Sequence, residues 1–188
     1  ARVPPWDRRI DIVVLTHPHE DHVAGLVRVL ERYRVGRVFE PGMHGQGPGW
    51  KAWDAALRHG PPRAMLAGGA RLRLDEVKLT VLWPEPGVPI EPASTGRGIN
   101  DTSIVLLGEA DGRRFLLTGD AEDDVDPVLL ARGLPKIDVL KVAHHGSATA
   151  TSAALLAATR PTVALISVGA GNDYGHPTAA ALARLRDV

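Results

Sequence analysis

The segment LTHPHEDHVAG, residues 15–25, places three histidines and two carboxylates within six consecutive positions. The residues that lead into it, IDIVVL at 10–15, form an apolar and largely β-branched run, which predicts a strand buried on both faces. After the cluster, apolar residues recur with a helical period across residues 23–33. The cluster therefore lies where a buried strand turns into a helix, and open α/β folds bind ligands beyond the carboxyl ends of their strands.

The side chains of this segment are suited to a divalent metal ion. His17 and His19 lie two residues apart on an extended segment and leave the same side of the backbone, while Asp21 and His22 follow as the helix begins. Imidazole and carboxylate are the ligands that zinc or manganese take where thiolate is absent, and the chain has no cysteine. A satisfied polar role at the strand end is the alternative, but crowded histidines would repel on protonation without a cation to organise them.

HPHEDH fits the HxHxDH signature of the metallo-β-lactamase superfamily, which implies two bound metal ions. Four further segments extend the resemblance, namely NDTSIVLL (100–107), FLLTGDAE (115–122), DVLKVAHHGSATATS (138–152) and SVGAGNDYGHP (167–177). Together they resemble the C-terminal domain of the ComEC/Rec2 DNA-uptake proteins of competent bacteria, from Ile10 to the end of the chain. The resemblance implies an α/β fold, an αββα sandwich. Residues 1–188 would form one such domain, which lacks its N-terminal hairpin because the chain enters directly at the strand before HxHxDH.

The resemblance also implies a set of metal ligands, in which Asp120 bridges the two ions and Asp21 both binds metal and orients the attacking hydroxide. The expected ligands are His17, His19, Asp21, His22, Asp120 and His144. Many two-metal relatives carry a further histidine where this chain has Ile99, Asn100 and Asp101. An oxygen ligand from Asn100 or Asp101 would favour manganese, with zinc as the other candidate.

Other polar residues are expected around the substrate. Because successive strand residues face opposite ways, one of His144 and His145 should enter the site, and the residues alone do not choose between them. The resemblance favours His144 as the ligand and leaves His145 as a catalytic contact to phosphate. His176 is either a neutral loop histidine or a phosphate donor and general acid. The expected substrate-binding residues are Asn100, Asp101, Ser103 and Ser147, whereas the acids at 122–124 are expected to open a helix without a metal.

Strand and helix signals alternate along the chain. Two hairpins are predicted, one centred on Asp75-Glu76 and one on Asp111-Gly112, whose residue types suit tight turns. Residues 84–99 hold four prolines without periodicity and predict one long loop, either an excursion near the site or a disordered linker. Helices are predicted around residues 50–60, near 153–159 and after Pro177.

Composition leaves the function classes open. The 188 residues suffice for one buried core, and the formal net charge is zero. Eighteen of the 22 basic residues are arginine, which suits a phosphate-binding groove or simply solvated faces. No apolar run is long enough for a membrane span, and the start of the chain lacks a signal-peptide core, so the chain as given is expected to be soluble. The absence of cysteine excludes a disulfide framework but does not fix the compartment.

The expected function is metal-dependent hydrolysis of DNA phosphodiesters by metal-activated hydroxide, degrading the strand that is not transported during DNA uptake. The partners would be DNA, single-stranded in particular, and the membrane-embedded channel of the parent protein, on the extracytoplasmic side. A small-molecule esterase or phosphocholine-type hydrolase and a non-catalytic module for single-stranded DNA are the alternatives. A nuclease needs an open arginine-lined groove, an esterase a closed apolar pocket, and a binding module exposed aromatics such as Trp50, Trp53 and Tyr174.

Overall fold

Two β-sheets face each other in the computed structural model, which describes residues 6–89 and 91–187. The first sheet is parallel, with strand order β1-β2-β3, and comprises β1 (Arg9–Val14), β2 (Arg34–Glu40) and β3 (Arg63–Met65). The second has the order β4 to β9 and comprises β4 (Arg71–Leu74), β5 (Val77–Trp83), β6 (Val105–Ala110), β7 (Arg113–Leu117), β8 (Val139–Lys141) and β9 (Val163–Leu165). The helices are α1 (Glu20–Arg32), α2 (Pro48–Leu57), α3 (Gly96–Asn100), α4 (Asp126–Ala131), α5 (Ala153–Thr159) and α6 (Ala179–Arg186), with a 3₁₀ turn at Ala143–Gly146.

Three hydrophobic clusters define the layers. Alternate residues of β1 face opposite ways: Val13 packs with α1 and α2, including the fully buried Trp53, whereas Ile12 packs toward β5 and β6 of the other sheet. Beyond the second sheet, Leu116 and Leu140 pack against residues of α4 and α5. Helices thus cover the outer faces of both sheets, and the expected αββα sandwich is confirmed.

The turns and edges agree with the sequence patterns in most places. Both predicted hairpins form, with Leu74 opposite Val77 and Ala110 opposite Arg113. Within the described residues, β1 is an edge strand whose single strand neighbour is β2. Among those residues, no helix combines the length and the apolar character needed to cross a membrane.

The segment predicted as one long loop contains a short helix. Apart from Ile90, which lies outside the described residues, the segment is irregular from Pro84 to Thr95, and α3 then begins at Gly96. The Thr95 side chain caps this helix by accepting a hydrogen bond from the Gly98 N–H. α3 ends at Asn100, and the segment thereby returns to the cluster that follows β1.

Candidate metal centre

The HPHEDH segment turns from strand to helix and so directs its side chains to one place. His17 lies in the extended segment after β1, His19 is the N-cap of α1, and Asp21 and His22 occupy its first turn. The His17 ring is fully buried, with Nδ1 3.1 Å from the Thr16 hydroxyl and 3.2 Å from the Ser103 hydroxyl. Its Nε2 is buried without a hydrogen-bond partner, as expected for a ring nitrogen that is held ready for a metal ion.

Four side chains from three different strand ends converge on one point. Ligand atoms of Asp21, His22, Asp120 and His145 all lie within 4.8 Å of one another. The Nε2 atoms of His22 and His145 are each 3.1 Å from Oδ2 of Asp120, and they lie only 3.3 Å apart. The His145 Nδ1–H donates to the Ser167 carbonyl at 2.7 Å, which fixes the ring and leaves Nε2 to face the cluster.

The electrostatics of this cluster favour a cation between its members. Hydrogen bonds to Asp120 and Asp21 raise the pKa of His145 to about 10, so a proton occupies that position in the metal-free protein. Although burial opposes it, contacts with His145 and His22 hold the pKa of Asp120 well below its usual range. Two carboxylates and two imidazoles at these distances are a donor set that fits a divalent metal ion.

Asp120 is held by contacts on both sides of its strand end. It follows β7 through Gly119, whose φ of +54° and close approach to Ser103 leave no room for a β-carbon. The Asp120 N–H donates to the Ser103 hydroxyl at 2.9 Å. Lys141, at the end of β8, donates to the Gly119 carbonyl at 2.8 Å and lies 3.5 Å from Oδ1 of Asp120. Sequence reasoning missed Lys141, although a lysine in the apolar strand IDVLKVA was a visible signal.

A second group of donors adjoins the first across Asp120. The His17 Nε2 lies 4.0 Å from Oδ2 of Asp120, and the His17 and His19 rings have centroids 5.0 Å apart. Asn100 contributes a side-chain oxygen that is buried without a partner. Burial lowers the pKa of His19 and of His17, which keeps both rings neutral and able to bind metal. These residues add nitrogen and oxygen donors beside the cluster.

The two adjacent histidines occupy places opposite to those expected. His145 joins the cluster, whereas His144 Nδ1 lies 2.8 Å from Oε1 of Glu122. The preference for His144 rested on the family resemblance, and strand alternation indicated only that one of the two histidines enters the site. In the structure β8 ends at Lys141, and both histidines adopt left-handed conformations, with φ of 43° and 54°. Gly146 continues the turn at φ +84°, where a β-carbon would lie 2.7 Å from Pro177. Alternation therefore does not apply at these positions.

Glu122 is a buried partner of His144 and not a helix-start acid. α4 begins only at Asp126, and the Glu122 carboxylate accepts hydrogen bonds from Asn100 at 2.9 Å and from Thr149 at 2.8 Å. Contact with Glu122 raises the pKa of His144, since this hydrogen bond outweighs the effect of burial. A histidine with a raised pKa is thus held at the wall of the site. The sequence patterns gave no signal for this pair.

The expected substrate-binding residues separate into two groups. Asn100 and Ser147 line the cavity, whereas Ser103 is fully buried between His17 and Asp120 and therefore positions ligands. Asp101 accepts a hydrogen bond from the Glu122 N–H at 3.1 Å, away from the cavity lining. His176 does reach the cavity, with its ring 5.4 Å from that of His144 and its Nδ1 buried without a partner.

The cavity over the metal centre has a volume of about 850 Å³. Arg97 is the one arginine among the described residues that line it, and its guanidinium is tied to Asp123 at 2.6 Å and Asp124 at 2.8 Å. Of the aromatic candidates, Trp50 and Trp53 are buried in the core around α2, whereas Tyr174 is exposed at the cavity. The expected arginine-lined groove is therefore not what surrounds this site.

Comparison with known proteins gives a family match and several relatives, among them competence protein ComA of Neisseria gonorrhoeae, which is 31% identical over 95% of this chain and 23% of its own length. Residues 7–170 match the metallo-beta-lactamase superfamily. ComE operon protein 3 of Bacillus subtilis is 32% identical over 90% of this chain and 21% of its own length. Recombination protein 2 of Haemophilus influenzae is 31% identical over 94% of this chain and 20% of its own length. The chain thus spans about a fifth of the length of the curated relatives that it matches.

Solved structures support the fold at low sequence identity. The diiron beta-hydroxylase CmlA of Streptomyces venezuelae has a TM-score of 0.57 and 16% identity, covering 92% of this chain and 40% of that one. A putative metal-dependent hydrolase of Parabacteroides distasonis has a TM-score of 0.54 and 16% identity, covering 93% of this chain and 73% of that one. These likenesses bear on the arrangement of the sheets and helices alone.

Proposed function

Because this chain belongs to the metallo-beta-lactamase superfamily, and because its relatives include proteins named competence protein ComA and recombination protein 2, we propose that it is a metal-dependent nuclease that hydrolyses DNA phosphodiesters. The observation that carries the proposal is the cluster of Asp21, His22, Asp120 and His145 beside the unpartnered Nε2 of His17. A fully buried imidazole nitrogen without a partner costs free energy unless a ligand takes it up. An intact donor set of this kind argues for catalysis over a vestigial site.

We assign the ligands to two positions that share Asp120. Asp21, His22 and His145 would hold one divalent ion, while His17 and His19, with the Asn100 oxygen, would hold the other. Manganese is favoured over zinc because an amide oxygen takes the place of an imidazole. The bound ions would supply Lewis acidity toward the phosphoryl oxygens and a hydroxide at neutral pH.

The chain's own residues would orient the reacting groups. Ser103 and Lys141 hold Asp120 in place, and the Ser167 carbonyl holds His145. His144, held by Glu122 at the cavity wall, is placed to donate a hydrogen bond to a phosphate oxygen or to the leaving group. The neighbouring His176 is the second such donor, and Asp21 also faces the cavity, where it would orient the nucleophile.

We infer the biological role from the names of the relatives. Relatives named competence protein ComA and ComE operon protein 3 suggest that the chain acts on DNA during uptake, where it would degrade the strand that is not transported. Its partners would then be single-stranded DNA and the membrane-embedded channel of the parent protein. We propose the extracytoplasmic side of the membrane as its place of action.

One observation favours a second candidate, the hydrolysis of a small ester or phosphodiester. The Arg97 guanidinium is already paired with Asp123 and Asp124, so the cavity offers no free arginine fork among its described residues. A volume of about 850 Å³ suits a small molecule or a single nucleotide unit. The lining described here lacks the open arginine-lined groove expected of a nuclease, and this favours the small substrate.

The proposal is tested by metal reconstitution. Protein stripped with a chelator is reloaded separately with manganese, zinc and magnesium, and is offered labelled single-stranded and duplex DNA together with a small chromogenic ester. We expect cleavage of DNA only with metal, fastest with manganese, and loss of cleavage in Asp120→Asn. Asp126→Asn is the matched control, because Asp126 is an equally buried aspartate outside the cluster. DNA cleavage undiminished in excess chelator, or hydrolysis of the ester alone, would contradict the proposal.

A further inference from the structure

Tyr174 is a large aromatic side chain presented to solvent at the wall of the metal cavity. Its side chain is 83% exposed, yet it lines the same cavity as Asp120 and His145. Such exposure of an aromatic ring gains little folding energy, since burial is the main source of its contribution to stability. The residue therefore lacks a packing role that would account for its position.

The loop that carries Tyr174 is pre-organised by one asparagine. The Asn172 amide donates to the carbonyls of Gly169, at 3.1 Å, and His176, at 2.7 Å. Its side-chain oxygen accepts from the Tyr174 N–H at 3.2 Å and from the His176 N–H at 3.0 Å. Both aromatic residues are thereby held in fixed relation, so that a ligand would not have to order this loop.

Tyr174 and His176 form a stacked pair that leads into the site. Their ring centroids are 6.0 Å apart with planes inclined by 20°, and the His176 ring in turn meets that of His144 at 5.4 Å. The cavity is also lined by Ala24, which has only a methyl side chain, and by Gly96, which has none, and this leaves space for a flat ring. A planar group could therefore rest on Tyr174 while a phosphate attached to it lay beside His144.

We infer that Tyr174, backed by His176, is a stacking platform for one nucleobase of single-stranded DNA next to the phosphate that is cleaved. The identity of the ligand as DNA rests on the proposed function. Every base has a π-face, so such a platform accepts any sequence. In a duplex the base is already paired and stacked and would have to be unstacked before it could bind, which makes the platform selective for single strands.

The inference is tested by binding, separately from cleavage. Fluorescence anisotropy of a labelled single-stranded oligonucleotide is measured in calcium, used as a cation that supports binding, for the wild type and for Tyr174→Ala, Tyr174→Phe and Tyr174→Trp. We expect Tyr174→Ala to weaken binding about 5- to 150-fold, the range measured for loss of one stacked base, while the Phe and Trp variants retain it. Trp6→Ala is the matched control, because Trp6 is also 83% exposed but does not line the cavity.

A substrate change identifies the base that is held. An abasic position is moved along the oligonucleotide, and at one position we expect wild-type binding to fall to the level of Tyr174→Ala, with no further loss in that variant. Equal binding by Tyr174→Ala and wild type, no binding of single strands by wild type, or an equal loss on blunt duplex would overturn the platform. If the binding results hold but reconstituted protein does not cleave DNA, the nuclease proposal fails and the platform stands.

Discussion

At the scale of single residues, His144 and His145 are neighbours in sequence with different surroundings. His145 lies 3.1 Å from Asp120, whereas His144 pairs with Glu122 at 2.8 Å. We therefore predict that His145→Ala loses bound metal, since a ligand is removed. His144→Ala should keep its metal and lose rate, by about 10²- to 10³-fold if His144 acts like an oxyanion donor. Elemental analysis of the metal content of both variants decides which histidine is the ligand. A metal-poor His144→Ala protein would assign that role to His144.

Substitution of Ser103 tests whether a residue that positions Asp120 and His17 affects the binding of metal. Its hydroxyl accepts from the Asp120 N–H and lies within hydrogen-bond distance of Nδ1 of His17. We predict that Ser103→Ala lowers metal affinity about 10- to 100-fold, because groups that orient metal ligands typically contribute that much. Metal titration calorimetry measures the effect.

Ser152→Ala serves as the control for Ser103→Ala, because the Ser152 hydroxyl caps α5 and does not touch the cluster. It should lower stability with unchanged metal affinity. A Ser103→Ala protein that binds metal like the wild type, with KM alone altered, would instead indicate that this hydroxyl contacts substrate.

At the scale of elements, the glutamate in HPHEDH joins two helices. The Glu20 carboxylate, in the first turn of α1, accepts from the Gly49 N–H through both oxygens, at 2.8 and 3.0 Å. Because the N-cap of α2 is Gly47, which has no capping side chain, Glu20 supplies the negative charge that this helix end favours. Glu20 therefore stabilises the helix layer, whereas Asp21, the other carboxylate of the segment, belongs to the cluster.

This contact predicts a stability effect that does not depend on metal. Glu20→Ala should lower the free energy of unfolding by about 1–3 kcal/mol, the range for a charged hydrogen bond whose partner is left unsatisfied. Glu31→Ala on the same helix removes only an exposed ion pair with Arg28 and should cost less than about 1 kcal/mol. Urea unfolding of metal-free protein measures both, and equal losses would show that the Glu20 contact adds no stability.

The elements also show which parts of the site the sequence patterns could predict. The HPHEDH segment, FLLTGD and AHHGS were expected to meet because each follows a strand, and parallel β7 and β8 do bring Asp120 and His145 together. Glu122 and Lys141 were not expected in the site, because their partners are about 20 residues or more away and periodicity reports only which face a residue occupies. Alternation could not choose between His144 and His145, and the strand ends before both of them.

At the scale of the whole molecule, the centre links the two sheets. Asp21 and His22 follow β1 of the first sheet, whereas Asp120 and His145 follow β7 and β8 of the second. An ion bound by all four would add a connection between layers that also meet through apolar packing and through hydrogen bonds such as that from the Ile104 N–H to the Thr16 carbonyl at 3.0 Å. The unfolded chain has no such arrangement of ligands, so metal binding is coupled to folding.

We therefore predict that metal raises the melting temperature of the chain. A ligand at 100 times its Kd stabilises the native state by about 2.7 kcal/mol, and each kcal/mol corresponds to about 2–4 °C for a domain of this size. The expected rise with manganese is thus about 5–11 °C at that concentration, and it should reverse on chelation. Differential scanning calorimetry compares the shift in wild type with that in Asp120→Asn, which lacks the shared carboxylate, and in Asp126→Asn, which retains it. The Asp126→Asn protein should shift like the wild type and Asp120→Asn much less. An equal shift in all three would mean that the stabilising ion binds away from Asp120 and that this centre does not connect the two sheets.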